Sequence, residues 1–224
     1  DRTYGPDRLA DDLAAVLQAT IPAGRPAVLV GHSMGAMAIV AWAGRYPDQV
    51  PRFAAAALLA STGLSDLAGA GRVLPLPRHW ARVHAVAGRG LLTAALPLGR
   101  PGPISHRALR YVTMSPAASP AQVAFCERIV LACPPRARAG WGLALHSLDL
   151  WESLPALVVP TAVLVGAADR MTPPALARRL AAALPLADGL VELPGVGHMS
   201  TVEAPDAVAD EVRRLVRTYA GSAA

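Results

Sequence analysis

At residues 26–35 the chain reads PAVLVGHSMG, a short apolar run that breaks at a polar serine set between two glycines. The run AVLV has no polar alternation, which suits a strand buried on both faces of a parallel sheet. The residues that follow, as far as Arg45, suit a buried helix closed by Tyr46 and Pro47, and the apolar run 53–60 reads as a second buried strand. Gly31 is expected to end the first strand. This strand, helix, strand unit predicts a parallel sheet covered by helices.

The same alternation recurs at the far end of the chain. Residues 161–165 and 190–193 read as strands, 174–184 and 203–219 as helices. Ahead of the first strand, Leu9, Leu13, Val16 and Leu17 recur at helical spacing, with Pro6 at the entry and residues 22–24 as the stop. Between residues 63 and 155 the alternation is lost, and Gly, Pro, Ala and Arg recur among short helical segments at 121–131 and 141–148. The expected organisation is an α/β core of residues 1–62 and 156–224, with a mostly parallel sheet and helices on both faces, and an inserted helical cap at 63–155.

Composition narrows the function classes. The chain is 53% hydrophobic, yet uninterrupted apolar runs such as 53–60 fall far short of the ~18 residues that a membrane-spanning helix needs. The first residues, DRTYGPDR, lack the apolar middle of a secretory signal. The net charge of +5 comes from 21 basic residues, every one an arginine, spread singly along the chain. With 4% aromatics there is no stacking platform for bases, so nucleic acid is not an expected partner. Two cysteines, Cys126 and Cys133, are too few for a disulfide framework and lack the spacing of a zinc site. A reducing cytoplasm fits them, and neither a metal nor a cofactor is implied.

The chemistry is concentrated around Ser33. A serine hydroxyl becomes a useful nucleophile when it is presented to substrate, deprotonated by a neighbouring base and faced by donors for the developing oxyanion. A sharp strand-to-helix turn presents it, small residues at Gly31 and Gly35 let that turn pack, and the amide of Met34 is placed to donate to the oxyanion. The base and its orienting acid are then expected on later strand ends, in the order Ser, acid, His. The strand at 161–165 runs into GAADRMTPP and the strand at 190–193 into PGVGHMS, which places Asp169 and His198 at the same carboxyl edge of the sheet as Ser33. His198 would take the Ser33 proton, and Asp169 would hold its imidazole tautomer. Asp149 reads as a helix-end acid and His32 as a packing residue. His79, His84, His106 and His146 belong to the insertion and show no ligand spacing.

GHSMG after PAVLV, GAADRMTPP, and LPGVGHMSTVEAP with its closing helix together resemble the nucleophile elbow, acid loop and histidine loop of the α/β-hydrolase superfamily. That resemblance implies a serine hydrolase without a cofactor. It covers residues 1–62 and 156–224 and treats the middle as a variable helical cap. Members that use an aspartate nucleophile are disfavoured by Ser33. Superfamily members carry strands ahead of the helix that begins here near Asp7, one of them followed by the loop that gives a second oxyanion amide. The chain is therefore expected to be an N-terminally shortened form whose Ser33 strand lies at a sheet edge.

Apolar residues of the insertion, among them Leu91, Leu92, Leu96, Met114, Phe125 and Ile129, with Trp80 and Trp141, are expected to pack the cap or receive an acyl group. The resulting expectation is a carboxylic-ester hydrolase acting on a small, hydrophobic acyl substrate. A thioesterase or acyltransferase of the same fold, and a catalytically silent binding protein without a complete oxyanion hole, stand as alternatives.

Overall fold

The computed structural model describes residues 3–67, 71, 90 and 101–221 of the chain. Four parallel strands form one sheet in the order β1-β2-β3-β4, with β1 at Ala27–His32, β2 at Ala54–Ala60, β3 at Thr161–Gly166 and β4 at Ala187–Leu193. Helix α1, Pro6–Thr20, precedes β1, and α2, Met34–Arg45, crosses from β1 to β2. Between β2 and β3 lie α3 (Pro103–Thr113), α4 (Pro120–Ala132) and α5 (Pro135–His146), while α6 (Pro174–Ala183) and α7 (Pro205–Leu215) flank β4. No helix among the described residues is long and apolar enough to cross a membrane.

The sheet separates two apolar layers, because successive strand residues point to opposite faces. Ala57, Leu59, Val163 and Val165 face α1, α2 and α6, where Met37, Val40 and Trp42 fill the space. Ala56, Leu58, Ala162 and Leu164 face Val208 and Leu215 of α7 on the other side. A third, smaller cluster of Met114, Ala118, Val123 and Cys126 lies within the insertion, against Met199 and Val202.

Backbone pairing continues one residue beyond three of the strands. The Ser33 amide donates to the Ala60 carbonyl (2.8 Å), that of Ser61 to Leu164 (2.8 Å) and that of Ala167 to Leu193 (2.9 Å). These bonds hold the starts of the loops after β1, β2 and β3, and the end of β4, at one edge of the sheet.

Several boundaries differ from the sequence reading for identifiable reasons. Strand β1 runs through Gly31 to His32, since Gly31 pairs with Leu59 and His32 with Ala60. Val16 is 55% exposed, and the buried face of α1 is Ala10, Ala14 and Leu17. The expected helix 203–219 is broken into Ser200–Glu203, α7 and a π turn at Val216–Ala220. Ala204, at φ −138°, precedes Pro205, and a residue before proline is pushed out of the helical region. Phe125 and Ile129, expected to pack the cap or receive an acyl group, are 44% and 54% exposed. His79, Trp80, His84, Leu91, Leu92 and Leu96 lie outside the described residues.

The two glycines around Ser33 are not equivalent. A Cβ built on Gly31 would lie 2.5 Å from the Ala36 Cα and amide nitrogen, whereas one on Gly35 meets nothing within 4 Å. The α2 backbone thus rests directly on β1 at Gly31, and Gly35 is not required by packing. Gly31→Ala is expected to lower stability by about 1–3 kcal/mol or to abolish folding, while Gly35→Ala leaves it unchanged or raises it by up to ~1 kcal/mol through helix propensity. Denaturant melts of the two variants check this; equal losses would remove the distinction.

Candidate active site

Ser33 sits at the turn from β1 into α2 with φ 52° and ψ −117°, a left-handed φ that a side-chain-bearing residue adopts only when its surroundings impose it. Here they do. The Ser33 amide is held by Ala60 (2.8 Å), and its carbonyl accepts the amides of Ala36 (3.0 Å) and Met37 (3.3 Å) and the Thr62 hydroxyl (3.1 Å). The turn therefore projects the hydroxyl beyond the sheet edge. Met34 opens α2, so its amide belongs to the first-turn donors that have no acceptor within the helix.

Asp169 lies two residues beyond the Ala167 amide that closes on β4, and its carboxylate is wholly buried. Its Oδ1 accepts the amides of Met171 and Thr172, both at 2.8 Å. Its Oδ2 accepts the Thr172 hydroxyl at 2.8 Å and faces the Nδ1 of His198 at 2.9 Å. The sequence flagged Asp169 but not Thr172, whose hydroxyl oxygen also lies 3.2 Å from Nδ1. Four donors therefore converge on one carboxylate, which offsets the cost of burying its charge.

His198 is 4% exposed and bridges the other two residues. With Nδ1 facing a carboxylate, that nitrogen carries the proton, which leaves Nε2 bare as an acceptor. Nε2 lies 3.1 Å from the Ser33 hydroxyl. The three residues proposed from the sequence are thus brought together in one hydrogen-bonded chain, Asp169 to His198 to Ser33. An arrangement of this kind can move a proton from the hydroxyl to the imidazole while the carboxylate stabilises the charge that results.

The backbone of His198 is held from two sides. Its amide donates to the Thr113 carbonyl (3.0 Å), and its own carbonyl accepts Nε2–H of His32 at 2.8 Å. His32 was read as a packing residue; it packs, with ring centroids 5.1 Å from His198, but it also anchors the loop. No periodicity could show this, because the partner is a backbone carbonyl 166 residues away. The remaining singled-out groups lie elsewhere. Asp149 accepts the Trp151 amide at 3.1 Å, His106 lies 3.6 Å from Glu127 in the insertion, and His146 is at the end of α5. Cys126 and Cys133 are free thiols. Among the described residues no group of His, Cys, Asp and Glu is arranged to hold a metal ion.

Burial holds the His32 imidazole below its ordinary value, and its bond to the His198 carbonyl and the Asp169 charge only partly oppose this. A histidine whose folded pKa is depressed gives no stability difference well above the unfolded pKa of about 6.5. Below it the unfolded chain takes up the proton first, so stability falls as pH falls. The melting temperature is expected to drop between pH 7 and pH 5, and His32→Asn is expected to make that drop smaller. An identical pH dependence in the variant would show that His32 does not contribute.

Known proteins share this fold. No curated protein is matched by the sequence. Among solved structures, a thermophilic esterase from Thermogutta terrifontis superposes with a TM-score of 0.71 at 26% identity, covering 96% of this chain and 72% of that one. A bromoperoxidase from Bacillus anthracis gives 0.72 at 13% identity, covering 95% of this chain and 74% of that one. The enol-lactonase from Burkholderia xenovorans gives 0.68 at 23%, covering 96% and 74%. The last two likenesses carry the fold alone. The sequence model of the alpha/beta hydrolase family matches residues 1–211, and the chain belongs to that family.

Proposed function

We propose that this chain is a serine hydrolase that cleaves a carboxylic ester through an acyl-enzyme on Ser33. The observation that carries the reading is the unbroken chain of contacts from Ser33 Oγ to His198 Nε2 at 3.1 Å and from His198 Nδ1 to Asp169 Oδ2 at 2.9 Å. The likeness to an esterase at 26% identity supports the ester as substrate class.

In this reading His198 Nε2 takes the Ser33 proton as Oγ bonds to the ester carbonyl carbon, and the carbonyl oxygen becomes an oxyanion facing the Met34 amide. The imidazolium, stabilised by Asp169, returns the proton to the departing alkoxide, which leaves as the alcohol. Water then gives its proton to His198 and attacks the acyl carbon. Ser33 departs with that proton, and the carboxylic acid is released.

Residues 63–155 act in this reading as a cap that selects the acyl group, over a core of residues 1–62 and 156–224. Met114, Ala118, Val123 and Cys126 form an apolar cluster of their own within that segment, which supports a distinct cap, while Leu64, Leu148, Leu150 and Leu154 near its two ends join the main cluster of the sheet.

Hydrolysis of p-nitrophenyl butyrate tests the proposal. Ser33→Ala and His198→Ala are expected to lower kcat by about 10⁶-fold, and Asp169→Asn by about 10⁴-fold. A matched thioester assayed alongside is expected to turn over less well; the reverse preference would favour a thioesterase. Binding of an acyl ligand without turnover in the unmodified chain would instead favour a silent binding protein.

A further inference from the structure

One short stretch of the insertion, residues 111–115, is bonded to both loops of the candidate site. On the Asp169 side, Arg170 donates from Nη1 to the Tyr111 carbonyl at 2.7 Å, with its guanidinium 4.4 Å from the centre of the Tyr111 ring. On the His198 side, the Thr113 carbonyl accepts two successive amides, those of His198 (3.0 Å) and Met199 (3.2 Å). The Glu203 carboxylate closes the same junction, accepting the Ser115 amide at 2.8 Å and the Gly197 amide at 3.1 Å. The approach is close enough that a Cβ on Gly197 would lie 2.6 Å from the Met114 carbonyl carbon and the Ser115 amide nitrogen.

The two loops also meet directly, the Ala168 amide donating to the Val196 carbonyl at 2.8 Å, and the Asp169 amide is held by Gly166 of β3 at 3.0 Å, but the backbone of His198 itself has no bond to β4. Beyond β4 the chain turns at Gly195, φ 70°, and reaches His198 with its amide and carbonyl both taken by distant residues, Thr113 and His32. The position of the imidazole is therefore set by the 111–115 backbone together with His32 and Asp169. A shift of about 1 Å in such a group can cost on the order of 10²-fold in rate.

From these contacts we infer that residues 111–115 form a strap that fixes the Asp169 and His198 loops against each other, with Glu203 and Arg170 as its positioning residues. The inference rests on the Ser33, His198 and Asp169 reading given above. Glu203 never touches Ser33 or the substrate carbonyl in this scheme. It acts by accepting one amide from the insertion and one from the His198 loop on a single carboxylate. A glutamine there could accept only one of the two, and its NH₂ would oppose the other N–H.

The test uses the full chain with Glu203→Gln and Arg170→Met, each alone and each combined with His198→Ala. Both single variants are expected to lower kcat for p-nitrophenyl butyrate by about 10- to 100-fold with KM within about twofold, because acyl binding is not what they disturb. In the His198→Ala background neither is expected to lower the residual rate further, since two changes acting through one residue are not additive. Amide hydrogen exchange at residues 197–199 and 111–115 is expected to quicken together in Glu203→Gln.

Wild-type kcat in both variants, or losses that persist in the His198→Ala background, would overturn the strap. Unchanged exchange at residues 197–199 would do the same without reference to activity. If Ser33→Ala kept full turnover, the functional reading would fail instead, and the exchange result would still decide whether the strap exists.

Discussion

The candidate site depends on parallel strands that end level with one another. Three backbone bonds just past the strand ends, from Ser33 to Ala60, Ser61 to Leu164 and Ala167 to Leu193, carry the sheet ladder into the loops. A parallel ladder gives every strand the same direction, so its loops collect on one edge. Ser33, Asp169 and His198, separated by up to 165 residues, meet there because the strands that lead to them share a register. The core supplies the rigidity. Leu58 and Leu164 on one face, and Leu59 and Val163 on the other, are essentially inaccessible to water, so displacing one strand against its neighbour would disturb packing on both sides.

Burial at this edge imposes its own demands. Asp169 has no exposed side-chain surface, and a lone carboxylate there would be strongly disfavoured. Two amides, one hydroxyl and an imidazole N–H satisfy it, and the same bonds fix which of its oxygens faces His198. The left-handed φ of Ser33 is a second local cost, imposed by bonds at its amide and carbonyl. Both are conformations that the local sequence alone would not favour and the surrounding fold enforces.

Much of this was legible in the sequence, and the division between what was and was not has a physical basis. Strands β2 and β3 could be read because strands buried on both faces must be apolar throughout. β1, with Val30 46% exposed, was legible from its short apolar run, and β4, which carries Asp188 and Glu192 and no buried residue, was read only over 190–193 of its span 187–193. Ser33, Asp169 and His198 could be read because each follows one of these strands in a loop of small residues. Gly31 and Gly35 looked alike in the motif, yet only Gly31 bears against another backbone, a contact that exists once helix and strand are folded together. His32, Thr172, Arg170 and Glu203 were hidden for a related reason. His32 and Arg170 bond to backbone carbonyls and Glu203 to backbone amides, which leave no mark on hydrophobic period or residue type. Glu203 stood in the stretch GHMSTVEAP all along, but nothing there pointed to its partner Ser115, 88 residues earlier.

The hydrogen bonds between residues 111–115 and the sheet-edge loops share one property. The groups used on the insertion side are the carbonyls of Tyr111 and Thr113 and the amide of Ser115, whereas the side-chain groups, Arg170 and Glu203, belong to the loops they meet. A backbone handhold is indifferent to the side chains that surround it. Apart from Tyr111, whose ring lies under Arg170, and Met114, which packs against Met199 and Val202, residues on the insertion side are therefore free to diversify as long as the chain keeps its path through 111–115, while Arg170, Gly197 and Glu203 are not. For anyone exchanging insertions between homologous proteins to change substrate preference, the natural splice point falls ahead of residue 111, so that the graft inherits an intact junction with the histidine loop.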